Sequence, residues 1–237
     1  MADELSDKAA QFASILTGIL QASIEDCPRI EAVGNESDDH FTIRPEGDPP
    51  AGEHLPAIPL PRTGETDNRL LLRMFWGVTL EDSPDSSGVR HLRVEKSAYG
   101  LMIRPGPNKK SRPLVRVEYD RAMERGGTAK PSAHVHVHAE STELGWVRGS
   151  SGSDITRLEA LHFPLGGRRF RPSIEDFCLF LDAEGLYTDW LPGWKPAMRD
   201  SRERFHEIQL RASVRANAEV AADELSKLGY SVTRDST

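Results

Sequence analysis

The chain has 237 residues, of which 38% are hydrophobic and 28% are charged, and its formal net charge is −7 at pH 7. This length suits one large domain or a domain with extensions, and the composition is that of a globular protein with a solvated surface. The negative charge argues against a general nucleic-acid coat, although a local basic patch could still bind phosphate groups.

Several features of the sequence indicate a cytoplasmic location. The N-terminus lacks the basic region and apolar run of a signal peptide, and no stretch approaches the roughly 20 apolar residues of a membrane span. Cys27 and Cys178 lie far apart and lack metal-ligand spacing, so we expect two buried thiols and no disulfide. No membrane partner is expected.

Residues 1–44 are predicted to form an N-terminal helix and strand extension. Between Ala2 and Ile24, apolar residues recur every three or four positions, as in an amphipathic helix. These residues are Leu5, Ala9, Phe12, Leu16 and Ile19. Residues 45–67 contain six prolines and three glycines, which predicts a long extended loop because such a segment sustains neither a helix nor a central strand.

Residues 68–190 are predicted to form an antiparallel sheet domain with a capped helix. Apolar residues at every second position indicate three strands, and turn residues on either side bound another between the first and second of these. The turns between the first three strands of the chain favour antiparallel pairing. The predicted strands are Leu70–Leu80, Arg90–Ile103, Leu114–Asp120 and Ala133–Glu140. Ser173 followed by Asp176 resembles a capping box at the start of a helix that ends near Gly185.

Residues 191–237 are predicted to form a C-terminal helical extension. Pro196 suits a helix first turn, and Arg199 to Arg215 continues as a highly charged helix, typical of a solvated or partner-binding surface. Asn217 is the expected cap of a last helix that ends at Gly229. The predicted fold class is therefore α+β, an antiparallel sheet flanked by an N-terminal helix and C-terminal helices.

His134, His136 and His138 alternate with Val135 and Val137, so the valines should face the core and the imidazoles should share the other face. Neighbouring rings would stand about 6.5–7 Å apart, and the outer two about 13 Å apart. Two neighbours could hold one zinc ion with a further ligand from elsewhere. The candidates for that ligand are His162, Asp120 and Glu140.

Three interpretations of this strand remain open. In the first, His134, His136 and His162 bind a divalent metal ion, and each ring also needs a hydrogen-bond acceptor for its second nitrogen. In the second, the imidazoles act without metal as general acid or base beside a phosphodiester. In the third, histidine only fills exposed positions of an amphipathic strand.

A basic loop precedes the capped helix. It contains Gly166, Gly167, Arg168, Arg169 and Arg171 just before a helix N-terminus, where unpaired backbone N–H groups and arginine forks can hold an anion. The alternative is a glycine turn whose arginines pair with the chain's own carboxylates. The sequence contains no P-loop, nucleophile elbow, zinc-protease helix or dinucleotide fingerprint.

The region from about Val115 to Leu181, under a third of the chain, resembles the TumE-type toxins of bacterial toxin–antitoxin systems. The shared features are a strand ending Tyr119-Asp120, a loop with Pro131, the strand His134 to His138, and a helix that opens Pro172-Ser173-Ile174-Glu175-Asp176 and runs to Phe180-Leu181. A long insertion after Glu140 and extensions at both ends depart from the family pattern.

The resemblance implies a cytoplasmic bacterial protein of toxin–antitoxin or defence type that acts on RNA or another phosphodiester. His134, His136, His138 and Asp120 would then be catalytic, and Arg168, Arg169 and Arg171 would hold phosphate in the same cleft. An antitoxin-like partner would dock on the terminal helices. The competing hypothesis is a non-enzymatic interaction protein whose terminal helices dock a partner while the histidine strand is merely exposed.

Overall fold

The structure is a computed structural model that describes residues 2–35, 37, 39–50, 52–63, 70–83, 88–106, 109–125, 131–139, 163–165 and 170–233. Five helices lie in these ranges: α1 (Ala2–Gln21), α2 (Ala122–Arg125), α3 (Ile174–Ala183), α4 (Trp194–Ala216) and α5 (Ala218–Lys227). The strands are β1 (Ile30–Gly34), β2 (Phe41–Pro45), β3 (Ile58–Pro59), β4 (Leu70–Asp82), β5 (Arg90–Ile103), β6 (Arg112–Asp120), β7 (Ala133–Val137) and β8 (Phe163–Pro164).

The described strands form one antiparallel sheet in the order β1-β2-β4-β5-β6-β7-β8, and β3 pairs with β4 beside β2. With α1 before the sheet and α3, α4 and α5 after it, the predicted α+β class is confirmed. The strands β1 and β2 continue the same sheet that β4 to β7 build. The N-terminal segment is therefore joined to the sheet by backbone hydrogen bonds.

One face of the sheet carries the hydrophobic core. The apolar stripe of α1 packs on this face, where Leu5, Leu16 and Leu20 are buried. Helix α3 also packs on this face, where its residues Phe177 and Leu181 are buried in the same core.

An aromatic series ties the helices to the central strands. Phe12 of α1 meets Trp76 of β4 edge to face with ring centroids 5.7 Å apart, and Trp76 lies 6.2 Å from Tyr99 of β5. Tyr99 in turn lies 5.6 Å from Phe177 of α3. Because side chains alternate between the two faces of a strand, the residues next to Trp76 and Tyr99 in the sequence point to the opposite face of the sheet.

The proline- and glycine-rich segment has little regular secondary structure in its described part. Pro45 is the last residue of β2, and Ile58–Pro59 forms a two-residue strand at the edge of β4. Neither proline needs to donate a hydrogen bond at such a position. Residues 51 and 64–69 lie outside the described residues.

The capping box predicted at Ser173 is present. The Ser173 hydroxyl accepts from the backbone N–H of Asp176, and the Asp176 carboxylate accepts from the backbone N–H of Ser173. Behind this helix start, the hydroxyl of Ser201 on α4 donates to the buried Glu175 carboxylate at 2.6 Å. The hydrogen bond fixes the first half of α4 against α3.

The C-terminal helices are only partly packed. The buried residues of α4 are Trp194, Met198 and Ser201, all in its first half, and α5 has none. Asn217 does precede α5, as predicted, but the expected side-chain cap is wrong: its side-chain amide instead donates to the carbonyl of Ser213 in the preceding turn. The bond to Ser213 extends α4 and so competes with capping of α5.

Both cysteines are free and buried, as predicted. No helix in the described ranges combines the length and the apolar character needed to cross a membrane.

Candidate metal centre

The histidine strand β7 pairs with β6 in a register that brings acidic and imidazole side chains together. Glu118 lies opposite His134, and Arg116 lies opposite His136. Directly opposed residues of paired strands point to the same face, so these four side chains share one side of the sheet. Val117 of β6 points to the other side and is buried in the core.

Glu118, His134 and His136 form a group, here called the His–Glu cluster, whose ligand atoms all lie within 4.8 Å of one another. Glu118 Oε2 is 3.4 Å from His134 Nε2 and 3.3 Å from His136 Nε2. Ligands placed about 2.1 Å from a tetrahedral zinc ion are separated from each other by about 3.4 Å. The two separations match this spacing and exceed the roughly 2.7–2.9 Å of a charge-assisted hydrogen bond.

The backbone of the preceding loop orients His134. Its Nδ1 lies 2.9 Å from the carbonyl oxygen of Pro131, and because a carbonyl can only accept, Nδ1 carries the hydrogen. The lone pair of Nε2 is then directed at the cluster. Histidines that bind metal ions usually donate their second ring nitrogen in this way, which fixes the tautomer that coordinates. His134 is also almost fully buried, with 1% of it exposed.

Arg116 positions the carboxylate of the cluster. Its Nε forms an ion pair at 2.6 Å with Oε1 of Glu118, while the other oxygen, Oε2, faces the two imidazoles. The Glu118 side chain is 30% exposed and the His136 side chain 12% exposed, so solvent reaches the cluster from the Glu118 side. Three protein ligands with an accessible fourth position are the arrangement found in catalytic zinc sites.

Two residues predicted for the site lie outside the cluster. Asp120 points to the same face as Glu118, but its carboxylate accepts from the backbone N–H of Ala122 and forms an ion pair with Lys96 at 3.0 Å. His138 follows the end of β7, which stops at Val137 and not at the predicted Glu140, and its side chain is exposed. The strand therefore brings together two of its three histidines.

The structure does not bring Arg171 together with the histidines. Its guanidinium carbon lies 4.5 Å from the ring centroid of Tyr119 and 5.8 Å from that of Phe205, where cation–π attraction holds it. Tyr119 belongs to the helix-covered face, so the sheet separates Arg171 from the His–Glu cluster. Arg171 instead lines a different pocket, of about 480 Å³, with His206 and Leu210.

Other predicted site residues have no described position. They are His162, Glu140, Arg168 and Arg169, together with the glycines of the basic loop.

A second pocket adjoins the cluster on the same face of the sheet. It has a volume of about 330 Å³ and is here called the Arg73 pocket. Its lining includes Arg73, Phe75, Gly100, Lys110, Arg116 and Glu118. The small residues Ala98 and Gly100 of β5 form the floor between the β4 and β6 side chains. The pocket and the cluster therefore share Arg116 and Glu118.

Positive charge dominates the Arg73 pocket. Burial of the Arg73 guanidinium lowers its pKa, and the nearby charges of Arg104 and Arg116 lower it further. Arg73 binds the Glu53 carboxylate, which also accepts from the backbone N–H of Ser111 at 2.9 Å. This ion pair fixes the loop before β3 as one wall of the pocket.

The sequence indicated on which face of β6 Arg116 and Glu118 lie, but it did not indicate that they lie beside the histidines. Val115, Val117 and Tyr119 mark one face of β6, so Arg116 and Glu118 had to lie on the other. What was missing was the register between β6 and β7, because the loop between them contains 12 residues and does not fix the pairing.

No protein-family model, curated protein or solved structure matches this chain. The resemblance to TumE-type toxins stays a prediction.

Proposed function

We propose that the chain binds one divalent metal ion of the zinc type through Glu118, His134 and His136 and hydrolyses a phosphodiester there. The observation that carries the proposal is the pair of separations, 3.3 and 3.4 Å, between Glu118 Oε2 and the two imidazole Nε2 atoms. Two imidazoles and one carboxylate are ligands that suit zinc.

The residues of the chain would divide the work of the reaction. When bound, such an ion lowers the pKa of a coordinated water to about 7 and polarises a phosphoryl oxygen. The hydrogen bond from His134 to Pro131 keeps one ligand in its coordinating tautomer. Arg116, which already touches Glu118, would face the negative charge that develops on the substrate.

Zinc titration with a matched pair of variants tests the metal site. Isothermal titration of the metal-free protein should give one site per chain. His136→Ala should weaken binding at least about tenfold because it removes a ligand, whereas His138→Ala should leave it unchanged because His138 lies outside the cluster. Equal affinities in these two variants would refute the site.

RNA integrity and growth test the reaction and the toxin role. Expression of the wild type should slow growth and cleave RNA, and His134→Ala/His136→Ala should do neither. With purified protein, chelation should stop the hydrolysis of RNA and added zinc should restore it. Equal hydrolysis with and without chelator would contradict the metal-dependent reaction, and equal toxicity of both chains would contradict the toxin role.

A second candidate function is partner binding by the terminal helices, as in an antitoxin-like complex. The observation that favours it is the exposure of apolar side chains on the helices that pack least. Leu210 is 65% exposed on α4, and Val220 is 69% exposed on α5. If a partner covers them, Leu210→Glu/Val220→Glu should abolish its co-purification and leave zinc affinity unchanged. A partner that still co-purifies would exclude this surface.

A further inference from the structure

The Arg73 pocket has more positive charge than its own carboxylates neutralise. Arg73, Lys110 and Arg116 line it, against Glu53 and Glu118. No carboxylate in the described part of the chain pairs with Lys110, and the buried Nε of Arg73 has no hydrogen-bond partner there. In a chain with a net charge of −7, such a local surplus attracts an anion.

The shape of the pocket adds a second requirement for its ligand, a flat apolar group. Phe75 stands on the same face as the cations, and Ala98 beside it leaves the floor flat. Gly100 continues that floor without a side chain, because a Cβ there would lie 2.7 Å from the carbonyl oxygen of Val115. A flat apolar group can lie against Phe75 while an attached anion reaches the guanidinium groups.

We propose that the Arg73 pocket binds one nucleotide unit, with the phosphate on its three cations and the ring against Phe75. The volume of about 330 Å³ lies at the lower end of small-molecule sites, which suits one unit and not a longer segment. Arg116 joins the pocket to the His–Glu cluster, so the ester bond beside this phosphate would lie next to the metal ligands. The inference names the substrate class of the proposed metal site and rests on that function.

Binding of 5′-AMP to the full chain in the presence of a chelator tests the pocket without the metal. AMP should bind more tightly than inorganic phosphate or adenosine, because only AMP has both groups. The affinity should fall as salt concentration rises, since the contacts are ionic. AMP affinity no better than that of either fragment would overturn the inference.

Adjacent lysines supply a matched control. Lys110→Gln should weaken AMP binding about threefold to fivefold, the effect of one exposed charge, whereas Lys109→Gln should not change it because Lys109 is not in the lining. Equal affinities in the two variants would count against the site. Ala98→Leu fills the floor and should lower AMP affinity more than tenfold, with an unchanged circular dichroism spectrum as the check that the variant is folded.

The two proposals fail in distinguishable ways. Zinc binding without AMP binding overturns the nucleotide pocket and leaves the metal site. AMP binding that responds to Lys110→Gln but without zinc binding supports the pocket and removes the proposed function.

Discussion

The two buried thiols should make the fold less stable at alkaline pH. Burial raises the pKa of Cys27 to about 12, and it raises the pKa of Cys178 as well, with the charge of Glu175 adding to the effect. In the unfolded chain both thiols have a pKa near 8.5. Above that pH the unfolded state loses protons that the folded state keeps, so the free energy of unfolding decreases as pH rises towards 12.

The size of this effect follows from the difference in bound protons. Between pH 8 and pH 10 each thiol should reduce the free energy of unfolding by about 2 kcal/mol, and both together by about 4 kcal/mol. Below about pH 7 the thiols are almost fully protonated in both states, and their contribution no longer changes with pH.

Guanidinium chloride unfolding at pH 8 and pH 10 measures this effect. Cys27→Ala/Cys178→Ala is the comparison, because it is less stable at both pH values through lost packing but has no thiol to titrate. The wild type should lose about 4 kcal/mol more than the variant between the two pH values. If both proteins lose the same amount, the thiols ionise in the folded state and the reasoning is refuted.

Three substitutions test the packing of the fold by thermal or denaturant unfolding. Ser201→Ala removes the 2.6 Å hydrogen bond to the buried Glu175 carboxylate and should cost about 1.5–3 kcal/mol, and a cost below about 0.5 kcal/mol would show that water replaces the hydroxyl. Gly100→Ala should cost about 1–3 kcal/mol because its Cβ would meet the Val115 carbonyl at 2.7 Å, whereas Gly18→Ala in α1 meets nothing within 4 Å and should stabilise the chain by about 0.5–1 kcal/mol. Equal stabilities of these two variants would contradict the close approach of β5 and β6.

Local sequence patterns predicted the helices and strands whose signals lie within a short stretch of the chain. The period of two located β4, the turn residues on either side bounded β5 correctly at Arg90 and Ile103, and the three- and four-residue spacing located α1. The capping box at Ser173 fixed the start of α3 because both of its hydrogen bonds form within four residues. These signals need no information from distant parts of the chain.

The site could be predicted only in part because it depends on register. The pattern placed His134 and His136 on one face, but the choice between Glu118 and Asp120 as their neighbour is made by pairing with β6. Arg171 shows the same limit. Its position in the sequence, close to the capped helix, did not reveal that the sheet would lie between it and the histidines.

On strand β6 the residues that build the candidate metal site alternate with the residues that build the hydrophobic core. Its odd-numbered residues Val117 and Tyr119 are buried, while its even-numbered residues Arg116 and Glu118 face the cluster and stay partly exposed. A substitution at position 116 can therefore alter which ligand is accepted without removing a metal ligand, whereas the insertion or deletion of one residue would exchange the two faces of the strand. Homologues with new specificities would be expected to differ at position 116, to keep Glu118 as a metal ligand and to keep the length of this strand.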